Sequence, residues 1–515
     1  MRNSIFLLAI FFAIDVHSQT TFQKIYKNLN QDAYGKGYCL TNDGNYMIVC
    51  QQADMFSSIN YLVKVDPFGN VLWRRDYEGL DGFSSIIQTR DGGYAISTST
   101  DSLLGDFDMC ILKIDSFGNV QWCKLYGLGV SLDFPSKLIQ DPNGAFLLTG
   151  GGINNLTTAR SAIIVKTDSS GNLLWDKIVD GPGSAYLSHA SFTNDGGIIV
   201  TGTYSTSIVS GLWMMKLDSS GQTSWSHCYG NTFYGTVSFQ TNDGGYITSG
   251  SGHSPGIPEG YMLLKSDSNG NVQWCKVYSD AISVPDLIIN ADGDYVMAGT
   301  HQNGINDSAN VYLIKTNTLG DTVWTRFYEI DTVTYRGESG NSILQTPDGG
   351  YLVGGQAVEY QSSYTDIYLL KTDANGNAGC NLVHHPITIE SIVPSIDTSV
   401  MIRNGIIIAS IIPASAVSQI TDTTLCLHDW INEYENIFSL DVYPNPATDQ
   451  IMINTSAFSE PELMLEVKDV LGRNIIRRKV YQGNLQLDVS NISRGIYLIG
   501  LTGKESFGRS TFYKQ

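Results

Sequence analysis

Three sets of residues in this chain have types and spacings that could do chemistry. Gly252-His253-Ser254-Pro255-Gly256 has the G-x-S-x-G spacing, in which a serine stands exposed on a strained strand-to-helix turn. His384-His385 sets two imidazoles side by side, a start for a metal site. Aspartates recur at Asp66, Asp115, Asp168, Asp218, Asp267 and Asp373, always just before a turn, where carboxylates could collect calcium.

The surroundings argue against each. "SPGIPEGYMLLK" follows the serine, two prolines and then a strand-like run, so no helix backs the nucleophile. No third metal ligand is spaced near the histidine pair. Each turn offers one carboxylate with a lysine two residues before it, too little for an oxygen cage. There is no phosphate-binding glycine loop and no zinc-protease helix motif. No catalytic, cofactor-binding or metal-ligating residue is assigned, and the chain is not expected to be an enzyme.

The turn aspartates belong to a line that recurs through most of the chain. "KIDSFGNVQWCKLYG", residues 113–127, repeats with lysines at 64, 113, 166, 216, 265, 315 and 371, in steps of 49, 53, 50, 49, 50 and 56 residues. A fixed period near 50 marks a repeat architecture. The line carries Trp73, Trp122, Trp175, Trp225, Trp274 and Trp324, while Cys380 stands at the last tryptophan position. A second line runs in phase: NDGNY at 42–46, RDGGY at 90–94, PNGAF at 142–146, NDGGI at 194–198, NDGGY at 242–246, ADGDY at 291–295 and PDGGY at 347–351. Both contain the Asp-Gly or Gly-Asn pairs of hairpin turns, so each repeat predicts two hairpins and four short strands.

Four strands per repeat predict the blades of a β-propeller, and the fold class is all-β. Seven repeats supply three strands each, but only six tryptophan strands follow them. "TFQKIY", residues 21–26, matches the tryptophan strands with Phe22 in the tryptophan position. It predicts a seven-bladed ring closed by this N-terminal strand, which completes the blade begun near residue 341. The tryptophans are then packing anchors between blades, and the turn aspartates accept backbone N–H groups of their own turns.

The chain has 515 residues, and Lys+Arg 31 against Asp+Glu 50 gives a net charge of −19, which argues against nucleic acid and anionic membrane surfaces. "MRNSIFLLAIFFAIDVHSQ" has an apolar stretch from Ile5 to Ile14, then Val16 and Ser18 before a cut at Gln19. Residues 1–18 read as a secretory signal peptide. The other apolar run, "GIIIASII" at 405–412, is too short to span a bilayer, so no transmembrane segment is expected. The domains read as 1–18 signal peptide, 19–379 propeller, 380–436 a small β-rich connector and 437–515 a C-terminal β-sandwich. Cys110, Cys123, Cys228 and Cys275 fall within blade strands as small buried hydrophobes. Cys380 and Cys426 bracket the connector, and a disulfide between them is expected.

From Phe438 the chain reads "FSLDVYPNPATDQIMINTS", "LEVKDVLGRNII" and "LDVSNISRGIYLIGL". Tyr443-Pro444-Asn445-Pro446, the Asp469-x-x-Gly472-Arg473 turn and the Gly495-x-Tyr497 strand resemble the type A C-terminal sorting domain of type IX secretion. The resemblance implies a small β-sandwich recognised by the type IX machinery, with the protein secreted or left on the outer cell surface after passing the periplasm. The Lys-x-Asp-x-x-Gly-Asn-x-x-Trp line is weakly similar to the tryptophan-docking repeat of quinoprotein dehydrogenases. Those rings have eight blades and an adjacent cysteine pair under the cofactor; here there are seven repeats and no Cys-Cys. The packing motif carries over and the cofactor site does not, so no cofactor is expected.

Function is then expected of the surface. The two repeated turns share one rim, leaving the other to loops of varied length and content. A binding or adhesion module for a glycan or protein is the leading reading, with Tyr204, His253, His301, Gln302, Tyr360 and Tyr364 as candidate ligand contacts. The alternatives are a structural surface or matrix protein without a specific ligand and a quinoprotein-like enzyme. A monomer is expected.

Overall fold

The computed structural model describes residues 20–27, 31–53, 58–101, 107–127, 131–154, 160–180, 183–206, 210–230, 233–254, 257–279, 283–302, 309–330, 335–360, 362 and 364–378, strand segments within 382–428, and 436–514 apart from 441, 456–457, 459–460, 470–473 and 503–505. The signal-peptide reading of residues 1–18 lies outside them. The chain divides into two compact units, Thr20–His428 and a C-terminal unit from residue 429 onward. Every named element is a strand, and no helix among the described residues is long and apolar enough to cross a membrane.

The first unit opens with β1 (Thr21–Lys27) and continues as four-stranded antiparallel sheets, consistent with propeller blades. They are β2 (Asp32–Leu40), β3 (Tyr46–Ala53), β4 (Ser58–Val65) and β5 (Val71–Glu78); β6 (Asp81–Gln88), β7 (Tyr94–Asp101), β8 (Phe107–Ile114) and β9 (Val120–Gly127); and β10 (Ser131–Gln140), β11 (Phe146–Asn154), β12 (Arg160–Thr167) and β13 (Leu173–Asp180). Next come β14 (Ser184–Phe192), β15 (Ile198–Ser205), β16 (Ser210–Leu217) and β17 (Thr223–Tyr229), then β18 (Phe233–Gln240), β19 (Tyr246–Ser254), β20 (Ile257–Ser266) and β21 (Val272–Ser279). β22 (Ser283–Ile289), β23 (Tyr295–Gln302), β24 (Ala309–Thr316) and β25 (Thr322–Tyr328) precede β26 (Tyr335–Gln345), β27 (Tyr351–Glu359) and β28 (Thr365–Thr372). β1 lies antiparallel on β28, with Phe22 opposite Lys371 and Tyr26 opposite Ile367, so it takes the place of a fourth strand there.

Local chemistry accounts for the hairpins. In the Asp-Gly line, Gly92 adopts φ +82° and its N–H bonds the Thr89 carbonyl at 2.9 Å, while the Gly93 N–H donates to Asp91. In the other line, Asp115 Oδ1 accepts the N–H groups of Phe117 and Asn119 at 2.9 and 2.8 Å. The lysine two residues before each such aspartate reaches to the opposite turn of its own sheet. Lys113 pairs with Asp91 at 2.8 Å, Lys216 with Asp195 at 2.9 Å and Lys371 with Asp348 at 2.9 Å. Both turns of a sheet therefore lie on one rim and are tied together.

Between sheets the fourth strand docks on the next turn. A Cβ built on Gly171 would meet the Trp122 ring at 2.9 Å, and one on Gly221, Gly320 or Gly376 would meet Trp175, Trp274 or Trp324 in turn. The indoles are half-buried and flank cores that span neighbouring sheets. Four residues after the tryptophan position, a tyrosine donates to the same glycine's carbonyl: Tyr126 to Gly171 at 2.7 Å and Tyr278 to Gly320 at 2.6 Å. Cys110 and Cys123, on β8 and β9, are disulfide-bonded, where the sequence suggested packing alone; their pairing positions are diagonal, so the two sulfurs share one face of the hairpin.

The described strands of residues 382–428, expected to lie in a separate connector, pair with the sheets of the first unit. They each add an outer fifth strand to a sheet, in reverse order along the chain. β29 (Leu382–Val383) pairs with β25, β30 (Ile389–Ser391) with β21, β31 (Ile396–Asp397) with β17 and β32 (Met401–Arg403) with β13. β33 (Ile407–Ile411) pairs with β9, β34 (Ala414–Ser418) with β5 and β35 (Thr421–His428) with β1. The physical reason is that the tryptophan strands leave edge N–H and C=O groups unpaired, and an extended segment satisfies them. Cys426 lies in β35 opposite Gln23, while Cys380 falls outside the described residues, so the expected bond between them lies outside as well.

The C-terminal unit has two small sheets. One is ordered β36 (Asn436–Ser439), β43 (Ser506–Lys514), β42 (Gly495–Thr502), β39 (Glu462–Asp469), β40 (Asn474–Tyr481), and the other β37 (Val442–Tyr443), β38 (Gln450–Asn454), β41 (Asn484–Asp488). Ile451, Leu465, Val467, Ile499 and Phe512 lie in its core. Asn445 of the Tyr-Pro-Asn-Pro stretch clips that segment to the last strand, donating to the Thr511 carbonyl at 3.1 Å and accepting Tyr513 N–H at 2.8 Å. Tyr497 stacks on Phe512 at 5.5 Å and donates to the Ser493 carbonyl.

Candidate binding rims

The first strand of each repeat, β2, β6, β10, β14, β18, β22 and β26, forms the inner edge of its sheet. Each contacts the next, and β26 contacts β2. Each inner strand starts at the rim of varied connections and ends at the rim of repeated turns. Seven residues before the turn-opening residue, the chain has Tyr34, Phe134, Tyr186 and Tyr234 on β2, β10, β14 and β18. Phe134, Tyr186 and Tyr234 are 41, 39 and 55 % exposed, so three successive sheets present an aromatic face at the varied rim. Beside Phe134 lies a cavity of about 410 Å³ whose lining includes Lys36, Gln51, Asp81, Phe83, Phe107 and Pro135. Phe107 stacks on Phe134 at 6.2 Å, and Lys36 sits over the Tyr34 ring at 4.9 Å. Ser84 Oγ donates to Ser136 O at 3.1 Å and Ser188 Oγ to Gly235 O at 2.6 Å, holding neighbouring inner strands in place.

The residues singled out from the sequence are dispersed. Tyr204 lies in β15, buried against Trp213, and His301 in β23, buried edge-on to Phe327 at 4.6 Å. Both are core residues and not loop contacts, because these hairpin strands run further toward the varied rim than the sequence suggested. His253 is in β19 and Gln302 in β23, with side chains outside the described residues. Tyr360 is 66 % exposed in the turn after β27, and Tyr364 is half-buried just before β28. Phe134, Tyr186 and Tyr234 were passed over because they fall within strands; aligning the inner strands on the turn would have revealed the recurring ring. Ser254 pairs with Ile257 at the end of a strand hairpin, so strand follows strand where a nucleophile elbow needs a helix. His384-His385 lies outside the described residues.

The turn aspartates are engaged by their own turns. Burial pushes the Asp115 carboxyl up, but the Asn119 amide and the Asn119 and Phe117 N–H groups outweigh it and hold it below its ordinary value. At the varied rim between the last and first sheets, charge is less well met. Lys27 pairs with Glu359 at 2.7 Å, and Thr365 N–H donates to Asp32. Buried Asp366 is pushed up to about 7 by burial, then by Glu359 and Asp32 against the pull of Lys27. Buried Glu338 is pushed up to about 8, by burial first and the nearby Glu329 among the rest.

The C-terminal unit is a compact β domain whose Tyr-Pro-Asn-Pro entry is held to the last strand by Asn445. Residues 441–512 match the secretion system C-terminal sorting domain, and this tail is a type IX sorting domain. It implies export by the type IX machinery, through interaction with that machinery, to the cell surface or the medium. No curated protein matches the chain. Among solved structures, the chain is similar to a protein of unknown function from Bacteroides caccae at 13% identity, covering 50% of this chain and 93% of that one, with a TM-score of 0.30.

Proposed function

We propose that the repeats close into a seven-bladed β-propeller and that the exported protein is a binding module, taking a glycan or protein ligand at the varied rim. Closure is supported by β1 on β28, by Tyr26 of β1 bonding Gly69, and by a core in which Phe22, Tyr26, Val63, Leu352 and Leu369 pack together. The ligand reading rests on the exposed rings of Phe134, Tyr186 and Tyr234. Exposed aromatic rings at matching positions of successive sheets are suited to stacking against sugar faces or peptide side chains. On the opposite rim the repeated lysines are paired with turn aspartates. Residues 1–18 would deliver the chain to the periplasm and the tail would carry it across the outer membrane. No catalytic role is proposed.

Screening the full mature protein against glycan and protein arrays, then titrating any hit, tests this reading. Saturable binding that falls at least tenfold in a Phe134→Ala/Tyr186→Ala/Tyr234→Ala variant of unchanged melting temperature is expected. Unaltered affinity in that variant would overturn the placement, and an absence of hits across both arrays would favour a purely structural surface protein.

A further inference from the structure

The inner strands also form a second, chemically different cavity at the repeated-turn end. It encloses about 420 Å³ between β6, β10, β14 and β18. Its lining includes Arg90 from the turn after β6, Lys137 and Gln140 from β10, His189 and Phe192 from β14, and Phe239 from β18. No carboxylate lines it, although acidic residues outnumber basic ones 50 to 31 in the chain.

The two cations are uncommitted. Elsewhere on this rim the lysines are paired with turn aspartates, as Lys113 is with Asp91 and Lys265 with Asp243. Among the described residues, the Lys137 ammonium and the Arg90 guanidinium have no hydrogen-bond or ion-pair partner. Lys137 is half-buried, so its charge is partly stripped of water. Asp286 on β22 lies near enough to feel the Lys137 charge. Its carboxylate oxygens already accept Leu287 N–H, Ser342 Oγ–H and Ile343 N–H at 2.9 to 3.0 Å. Asp286 is thus stitched into its own neighbourhood.

The other wall is aromatic. His189 meets Phe239 edge-on at 5.0 Å, and its buried ring is held well below its ordinary pKa by burial and by Lys137. It is neutral at physiological pH and adds a flat surface to those of Phe192 and Phe239.

We propose that this cavity binds a small organic anion, its carboxylate on Lys137 and Arg90 and its flat apolar body on the Phe192–Phe239 wall. A charge-assisted contact in a partly desolvated site gives the carboxylate its preference, and the aromatic wall selects against bare inorganic anions. The site is independent of the aromatic patch on the opposite rim.

Calorimetric titration of the full mature protein with benzoate, and with benzyl alcohol as its uncharged counterpart, tests the proposal. Saturable benzoate binding in the millimolar range or tighter is expected, with benzyl alcohol at least tenfold weaker. Lys137→Gln should weaken benzoate tenfold or more, Arg90→Gln severalfold, and Lys137→Arg little. Arg90 is exposed, so its variant keeps the test valid should a Lys137 variant fold poorly. No saturable benzoate binding, equal affinity for benzyl alcohol, or undiminished binding in Arg90→Gln and Lys137→Gln would each overturn the site.

Discussion

The Tyr26 hydroxyl donates to the Gly69 carbonyl at 2.7 Å, joining a strand at the start of the chain to the turn between β4 and β5. The same bond runs from Tyr77 to Gly118, Tyr126 to Gly171, Tyr229 to Gly270, Tyr278 to Gly320 and Tyr328 to Gly376. At the remaining step Val179 has no hydroxyl, and the Trp175 ring lies against Gly221. Because β1 is hydrogen-bonded to β28, Tyr26 ties the last sheet to the first.

Tyr26→Phe should therefore destabilise the protein by about 1–2 kcal/mol, the cost of leaving a buried carbonyl unmet. Removing residues 20–27 should cost far more, since β28 would lose one of its two neighbours and β35 the strand it pairs with. Urea unfolding of the three proteins checks this. A Tyr26→Phe loss of under 0.3 kcal/mol, with the shortened chain as stable as the parent, would remove the N-terminal strand from the closure argument.

Trp122→Ala should cost about 2–4 kcal/mol, toward the low side of large-to-small core changes because the indole is half-buried. It uncovers Gly171 and weakens the contact between successive sheets. Exposed Phe117 is a fitting control, being 74 % accessible, and Phe117→Ala should change stability by less than about 0.5 kcal/mol. Equal effects from the two changes would show that the repeated tryptophan is not a packing anchor.

The strands and turns were legible because both repeated lines carry explicit turn chemistry. Asp115, Gly118 and Trp122 could be placed from spacing alone. The Tyr-to-Gly bond was not, because a tyrosine in a strand reads as an ordinary β-former and its partner lies over 40 residues away. The fate of residues 382–428 was also hidden. Short strands separated by irregular breaks look like a small domain, and nothing local says that each segment pairs with a different sheet. Tyr204 and His301 were misread as loop residues because a polar-aromatic strand end resembles a loop until its register is known.

Buried Glu338 and Asp366 make stability depend on pH. Their carboxyls hold protons to about 8 and about 7, well above the values of an unfolded chain. Between about pH 4 and pH 8 the folded protein therefore binds more protons than the unfolded one, so stability falls as pH rises through that window. The loss accumulates as Asp366 and then Glu338 give up their protons, so a clear fall in stability between pH 5 and pH 8.5 is expected in urea unfolding. Glu338→Gln and Asp366→Asn should each flatten the slope and raise stability at the alkaline end. Parallel pH profiles for parent and variants would contradict the assignment.

Export depends on the tail, and its fold indicates where to interrupt it. Asn445 uses both ends of its amide to hold the Tyr-Pro-Asn-Pro entry against β43, so Asn445→Ala removes two hydrogen bonds while leaving the core of Ile451, Leu465 and Ile499 intact. A chain ending at Asn436 lacks the domain but retains the described strands of Thr20–His428. In a type IX-competent host, that shortened protein should accumulate in the periplasm, folded and protease-resistant, with almost none at the surface or in the medium. Asn445→Ala should reduce export severalfold without abolishing it, because the entry is loosened but the sheets remain. Fractionation with immunodetection of the Thr20–His428 unit reads both variants. Shortened protein reaching the medium as efficiently as the parent would show that the route out does not run through this domain.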